Sequence, residues 1–252
     1  MKKIALVGCG TIGSYIAKSA AEYKFATTAF VYDVDPEKAK LIIGARVLNN
    51  PAEITKYETD LVIEAATEKA VHAIAPEVLK KTDLLVFSIT SLANDDFRNS
   101  LQEICSDHKT RLYIPHGAIL GLDGIYDGRS LLEEVTIKTI KNPKNLGFKE
   151  SVKGVLYDGP TRGACEIFPK NVNVHAAVAV AGIGFDRTHS IVIADPEADH
   201  MTHEIRVKGK GLKWSISVAS IPVGAVTGSY TPESASMTVR RILASDYYII
   251  LA

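Results

Sequence analysis

One six-residue stretch, Gly8-Cys9-Gly10-Thr11-Ile12-Gly13, constrains this chain more than any other. It follows the apolar run Ile4-Ala5-Leu6-Val7, and Ile12, Tyr15, Ile16 and Ser19 after it fall at helical spacing. A G-x-G-x-x-G hexamer alone arises by chance. It gains meaning between a buried strand and a helix, with an acid at the right distance. That acid is Asp33, 20 residues beyond Gly13, closing the run Thr27-Thr28-Ala29-Phe30-Val31-Tyr32. Each part has a physical role. Gly8 permits a tight turn, Gly10 lets a pyrophosphate approach the backbone, and Gly13 lets helix and strand pack closely. The helix opening at Thr11 and Ile12 offers N–H groups and the positive end of its dipole to phosphates. Asp33 stands where a carboxylate accepts the adenosine ribose hydroxyls and repels a 2′-phosphate. NAD is therefore the expected cofactor, with NADP possible.

The first half continues in the same style. Asp35-Pro36-Glu37 starts a short helix, with Asp35 as cap and proline at the first position. Leu61-Val62-Ile63-Glu64 reads as a third strand leading into Ala65, Ala66 and Thr67, and residues 68–80 as a helix. Leu84-Leu85-Val86-Phe87 reads as a fourth strand before the small polar turn Ser88-Ile89-Thr90-Ser91. A helix over 94–105 and a strand over 111–114 follow. This alternation predicts an α/β fold, a Rossmann-type doubly wound parallel sheet. In such sheets ligands lie beyond the carboxyl ends of the strands, which puts Ala65, Ala66, Thr67, Ser88 and Thr90 beside the cofactor.

Near Pro115 the pattern changes. The glycine-dense run 116–124 leads to segments alternating apolar and polar residues at 135–140, 190–194, 204–208 and 212–218. The last two flank Gly209-Lys210-Gly211, a hairpin turn. Residues 161–168 and 174–183 read as helices, giving an α+β catalytic domain with a mainly antiparallel sheet. Expected boundaries are 1–115 for the dinucleotide domain, 116–229 for the catalytic domain, and 230–252 for a C-terminal helix returning to the first.

Composition narrows the partners. Lysine plus arginine equals aspartate plus glutamate at 29 each, with no long basic run, so neither nucleic acid nor an anionic membrane is expected. No apolar run approaches membrane-spanning length. Lys2-Lys3 and the apolar run before Cys9 imitate a lipoprotein signal, but the apolar part is far too short for one. Cys9, Cys105 and Cys165 are isolated and odd in number, which suits a reducing cytoplasm better than a disulfide framework.

Two stretches of the second half carry polar residues that a simple core would not choose. Phe168-Pro169-Lys170-Asn171-Val172-Asn173-Val174 sets two amides before a helix, where they also serve as turn and cap residues. Residues 194–204 hold four acids with His200 and His203. The H-x-x-H spacing fits neither a helical i,i+4 ligand pair nor a zinc cluster, so no metal is expected. From the residues alone, either histidine is as readily a surface group as a catalyst. Lys170, Arg206 and Lys208 are candidate cations for an acidic substrate.

Four motifs in order along the chain carry a resemblance: Gly-Ala-Ile-x-Gly-Leu-Asp at 117–123, Phe-Pro-Lys-Asn-x-Asn-Val at 168–174, Ala-Asp-Pro…His-Glu-Ile at 194–205, and Pro232…Met237-Thr238-Val239…Ile242-Leu243. The chain resembles the L-aspartate dehydrogenases, the archaeal and bacterial enzymes that feed iminoaspartate into NAD biosynthesis. The resemblance implies NAD(P)-dependent oxidative deamination of L-aspartate and a homodimer or larger assembly. It implies His203 as the catalytic residue, and Ala118 and Asn173 beside the nicotinamide. Where the family has small residues or an amide, this chain has His116, Leu120, His175 and Met201, and near its end Thr231-Pro232-Glu233-Ser234-Ala235. A dehydrogenase of the same fold for another amino or hydroxy acid, or a catalytically silent NAD-binding sensor, stands beside the main reading.

Overall fold

The computed structural model describes residues 1–223 and 227–243. It divides into two compact units. One comprises Met1–Phe87, Asn99–Pro115 and the C-terminal segment from Pro232; the other comprises Ser88–Arg98 and His116–Thr231.

In the first unit, six parallel strands form one sheet: β1 (Lys2–Val7), β2 (Ala26–Tyr32), β3 (Arg46–Val47), β4 (Leu61–Glu64), β5 (Leu84–Val86) and β6 (Leu112–Tyr113). Their spatial order is β3-β2-β1-β4-β5-β6, the 3-2-1-4-5-6 order of a dinucleotide-binding sheet. Ile4 to Val7 and Leu61 to Glu64 are buried without alternation, as strands covered on both faces must be. The order reverses between β1 and β4, whose carboxyl ends run into Gly8 and Ala65. A crevice for a ligand opens there in such sheets. Helix α1 (Thr11–Glu22) lays Gly13, Ile16, Ala17, Ser19 and Ala20 inward. Helices α2 (Pro36–Lys40) and α3 (Glu68–Leu79) carry the side-chain caps Asp35 and Thr67, and α4 (Asp95–His108) straddles the division.

In the second unit come α5 (Leu122–Gly128), β7 (Leu132–Lys141), α6 (Pro143–Leu146), β8 (Gly154–Pro160), α7 (Thr161–Ile167), α8 (Asn173–Ala181), β9 (His189–Ala194), β10 (Met201–Gly209) and β11 (Leu212–Ser220). The sheet order is β11-β10-β7-β9-β8. All pairs are antiparallel except β7 with β9. Val135, Ile137, Thr139 and Lys141 of β7 share one buried face with Met201, His203, Ile205 and Val207 of β10 and with Ser190, Val192 and Ala194 of β9.

The last helix, α9 (Tyr230–Leu243), sends Ala235, Val239 and Leu243 into the same apolar cluster as Ile4, Leu6, Ile16 and Leu61. Fully burying a side chain such as Val239 contributes roughly 1.5–3 kcal/mol. Tyr15 donates to Glu233 at 2.5 Å, and the hydroxyls of Ser19 and Ser236 meet inside the cluster. The expected C-terminal segment extends to 252, of which 244–252 lie outside the described residues.

Three features depart from the sequence reading. Strand β3 has only two residues, too few for a periodic signal, so the segment expected as third strand is β4. Strand β8 is framed by Gly154 and Pro160, and a register shift between Val155 and Tyr157 breaks its alternation. The segment Ser88–Arg98, expected within the first domain, groups with the second unit. Its ties there are concrete: Arg162 bonds the Ala93 carbonyl and Asp95, while Thr90 bonds Pro169 and Asn173.

Candidate functional site

The glycine motif forms a cradle closed on one side and open on the other. Gly8 has φ +100°, and a Cβ there would lie 2.4 Å from the Ala65 carbonyl oxygen. A Cβ on Gly13 would lie 2.0 Å from the Gly8 carbonyl oxygen. At Gly10, by contrast, nothing lies within 4 Å of the Cβ position. Gly10 is also the N-cap of α1, with no side-chain cap and no acid in the first turn. Thr11 is exposed and Ile12 half-buried, and no side chain caps the first-turn N–H groups. These features fit a pyrophosphate.

Asp33 is half-buried at the end of β2. Its two carboxylate oxygens accept the backbone N–H groups of Cys9 at 2.7 Å and Asp35 at 2.9 Å. A carboxylate offers about four lone-pair sites, so ribose hydroxyls still find acceptors. Cys9 is buried, and its thiol is pushed up to about 11 by that burial and then by the Asp33 charge; it is inert. Across the switch point Ala66 and Thr67 are exposed and Ala65 half-buried. Their turn is held by the buried Glu64, whose carboxylate accepts the Ala66 N–H at 2.7 Å, while the Thr67 hydroxyl caps α3. Glu64 escaped the sequence reading because it ends an otherwise apolar strand.

Of the remaining expected cofactor residues, Ser88, Thr90, Ala118 and Asn173 all belong to the second unit. Thr90 and Asn173 come together: Asn173 Oδ1 accepts the Thr90 N–H at 3.2 Å, and the Thr90 hydroxyl donates to the Pro169 carbonyl at 3.0 Å. Asn173 opens α8 without capping it. Ser88 and Ala118 are buried, the latter one residue after Gly117, which has φ +60°. Leu120 is 44% exposed.

His203 is no surface histidine. It is 3% exposed on β10, an interior strand between β7 and β11, in register with Thr139 on one side and Val218 on the other. Nδ1 of His203 lies 2.8 Å from the Thr139 hydroxyl, which in turn lies 2.6 Å from Nε2 of His175 on α8. His175 Nδ1 meets the Ser190 hydroxyl at 2.9 Å, and Ser190 meets the Thr161 hydroxyl at 2.7 Å. Thr161 donates to the Thr188 carbonyl at 3.0 Å. Lys141 ends β7 on the same face, 3% exposed, and burial lowers its ammonium to about 8. Burial first, then the Lys141 charge, lowers both imidazoles, His175 to about 3 and His203 well below the ordinary range.

Several sequence expectations change here. Among the described residues, three of the acids near His203 have other partners: Asp195 faces Lys153, Asp199 pairs with the exposed His200 at 2.7 Å, and Glu204 pairs with Lys138 at 2.8 Å. The pKa of His203 falls, because a buried imidazole beside an ammonium resists a second charge. Arg206 and Lys208 alternate with His203 along β10 and so point to the opposite, solvent-facing side, where Lys208 bonds Glu134 at 2.7 Å. Lys170 is exposed beyond α7. Among the described residues the buried cation is Lys141. Sequence reading overlooked it, and met His175 only as a departure from the family pattern, because a single polar residue at a core-facing position marks a site only once its packing partners are known. Among the described residues no group of three metal-ligating side chains occurs. No helix among them is long and apolar enough to cross a membrane.

Comparison with known proteins agrees with this architecture. Residues 8–115 match the family model described as homoserine dehydrogenase, NAD binding domain, and residues 125–242 match that described as aspartate dehydrogenase, C-terminal. The chain is 33% identical to an L-aspartate dehydrogenase of Nitrosopumilus maritimus, covering 88% of this chain and 89% of that one. It is 34% identical to that of Methanosarcina acetivorans, covering 96% and 97%. The crystal structure of aspartate dehydrogenase from Thermotoga maritima superposes with a TM-score of 0.80 at 25% identity, covering all of both chains. With the dinucleotide cradle in one unit, a buried histidine on an interior strand in the other, and this similarity along nearly its whole length, the chain belongs to the L-aspartate dehydrogenase family.

Proposed function

We propose that this protein catalyses the NAD-dependent oxidative deamination of L-aspartate. Hydride leaves Cα, the resulting iminoaspartate takes up water, and oxaloacetate and ammonium are released; the reverse is reductive amination. NAD, when bound, supplies the hydride acceptor. The glycine cradle, Thr11, Ile12 and Asp33 would hold it, with Ala65, Ala66, Thr67, Ser88, Thr90, Ala118 and Asn173 as its further contacts. The observation that carries the reading is the neutral, buried imidazole of His203, fixed by Thr139 on a rigid strand and sharing a sheet face with Lys141. Substrate identity is taken from the relatives, whose names make them L-aspartate dehydrogenases.

Protein groups have two tasks in this chemistry. A base must take the proton from the substrate ammonium, so that the nitrogen lone pair assists hydride departure, and then a proton from the water that adds to the imine. His203 is neutral at working pH because its pKa is depressed, so it stands ready for this role. The two substrate carboxylates need cationic partners, and Lys141 is the cation on the histidine side of the sheet. The protein would act in the cytoplasm as a homodimer or larger homo-oligomer, feeding iminoaspartate into NAD biosynthesis.

The test is absorbance at 340 nm with aspartate, glutamate, alanine and a hydroxy acid, each with NAD and with NADP. Aspartate should give the highest kcat/KM. Faster reduction with another substrate would replace aspartate, and cofactor binding without turnover on any would make the protein a sensor.

A further inference from the structure

We infer that the hydroxyls and imidazoles running from Thr188 to His203 form a one-way hydrogen-bond relay, with His175 as its positioning residue, that makes Nδ1 of His203 the protonated nitrogen and Nε2 the proton acceptor. This deepens the reading of His203 as the base and rests on it only for its catalytic consequence. The direction follows from counting protons. The Thr188 carbonyl, which also accepts the Thr161 backbone N–H at 2.9 Å, can only accept, so the 3.0 Å hydrogen bond from the Thr161 hydroxyl uses that hydroxyl's single proton. Ser190 must then donate to Thr161, which leaves the Ser190 oxygen as acceptor for Nδ1–H of His175. A neutral imidazole carries one N–H, so His175 Nε2 is bare and accepts the hydroxyl proton of Thr139. With that proton committed, Thr139 can only accept from His203, and His203 must carry its hydrogen on Nδ1.

The relay lies wholly within the second unit. It is contributed by β7, α7, α8, β9 and β10, and all five side chains are 3% exposed or less. A buried bond made the wrong way round would set two donors or two bare acceptors against each other, with no water to relieve them. His175 decides the direction. Were its ring doubly protonated, Nε2–H would donate to Thr139, the Thr139 proton would turn to His203, and His203 would lose its free Nε2 lone pair. Complete burial and the nearby Lys141 ammonium oppose that second proton. A small side chain at 175 would leave the Thr139 hydroxyl without this acceptor and the direction unset.

The relay is tested on the intact protein labelled with 15N-histidine, by long-range 1H–15N correlation at neutral pH. Signals are assigned with His203→Gln and His175→Gln variants. The expected result is a protonated Nδ1 and bare Nε2 in both His203 and His175. Protonated Nε2 in His203, or a doubly protonated ring, overturns the proposal. In kinetics, Thr139→Val should lower kcat roughly 10–10³-fold with KM for aspartate little changed, the penalty of a misassigned tautomer. Thr139→Ser, which keeps the hydroxyl, should restore most of the turnover. Equal impairment by serine and valine, or none by valine, also overturns it. If the tautomer is as expected but His203→Ala retains full turnover, the relay stands and the assignment of His203 as base fails.

Discussion

The carboxylate of Asp33 accepts the backbone N–H of Cys9 at 2.7 Å, so the acid proposed to read the ribose also braces the glycine turn. The two roles separate by substitution. Asp33→Asn keeps an oxygen for Cys9 but removes the charge that repels a 2′-phosphate, and should raise the NADP/NAD ratio of kcat/KM by about tenfold. Asp33→Ala removes both and should shift the ratio in the same direction while also lowering Tm. An unchanged cofactor ratio in Asp33→Asn would show that another residue reads the ribose.

The glycine motif makes a second separation. Gly10→Ala meets nothing within 4 Å in the protein itself, so its Tm should match wild type while its Kd for NAD rises, because the new methyl occupies the space of the phosphates. Gly13→Ala places a methyl against the Gly8 carbonyl and should lower Tm by several degrees, corresponding to roughly 1–3 kcal/mol of overpacking. Thermal melts and NAD titration of the two variants check this. Equal Tm losses would mean that Gly10 is not an open position.

His203→Ala should lower kcat by roughly 10²–10⁴-fold, the range for a lost general base. NAD affinity should change little, since the glycine cradle belongs to the other unit. His200→Ala, at an exposed residue paired with Asp199, should stay near wild type. Steady-state kinetics and NAD titration of both variants decide. A comparable collapse in both would assign the effect to the loop rather than to the imidazole.

Lys141 and Arg206 give a paired test of which sheet face meets substrate. Lys141→Ala should raise KM for aspartate at least about tenfold, the scale of a lost charge-assisted hydrogen bond. Arg206→Ala, on the opposite face, should leave kcat/KM within about twofold. A large effect of Arg206→Ala with none at Lys141 would reverse the assignment.

Acid should destabilise the fold before its carboxylates titrate. With His175 lowered to about 3 in the folded protein against 6.5 in the unfolded chain, only the unfolded chain takes up a proton as pH falls below 6.5. Stability therefore drops with falling pH across that window, by on the order of 2–3 kcal/mol per such histidine at about pH 4.5. His203 adds in the same direction. Denaturant unfolding at a series of pH values should show a steep acid limb. His175→Gln should make it shallower by about one proton, whatever its effect on stability at neutral pH. An identical acid limb in the variant would mean that His175 is already accessible to protons.

What the sequence determined by itself is local and periodic. The run Ile4–Val7, the glycine hexamer and Asp33 specify strand, turn, helix and acid within 30 residues. The physical demands there fall on neighbours along the chain, such as the positive φ of Gly8 and the missing side chain at Gly13. Alternation at 204–208 and 212–218 likewise announced the β10–β11 hairpin. Tertiary structure alone decided the company that His203 keeps. Thr139, His175, Ser190 and Thr161 come from four other elements, and a hydroxyl in a strand pattern looks the same whether it faces water or an imidazole. It also decided which cation is buried. Arg206 lies in an alternating segment and Lys141 directly after one, and only the pairing of β7 with β10 and β9 sets Lys141 on the covered face and Arg206 on the open one. Strand register, a relationship between residues distant in sequence, turned a list of polar side chains into one connected site.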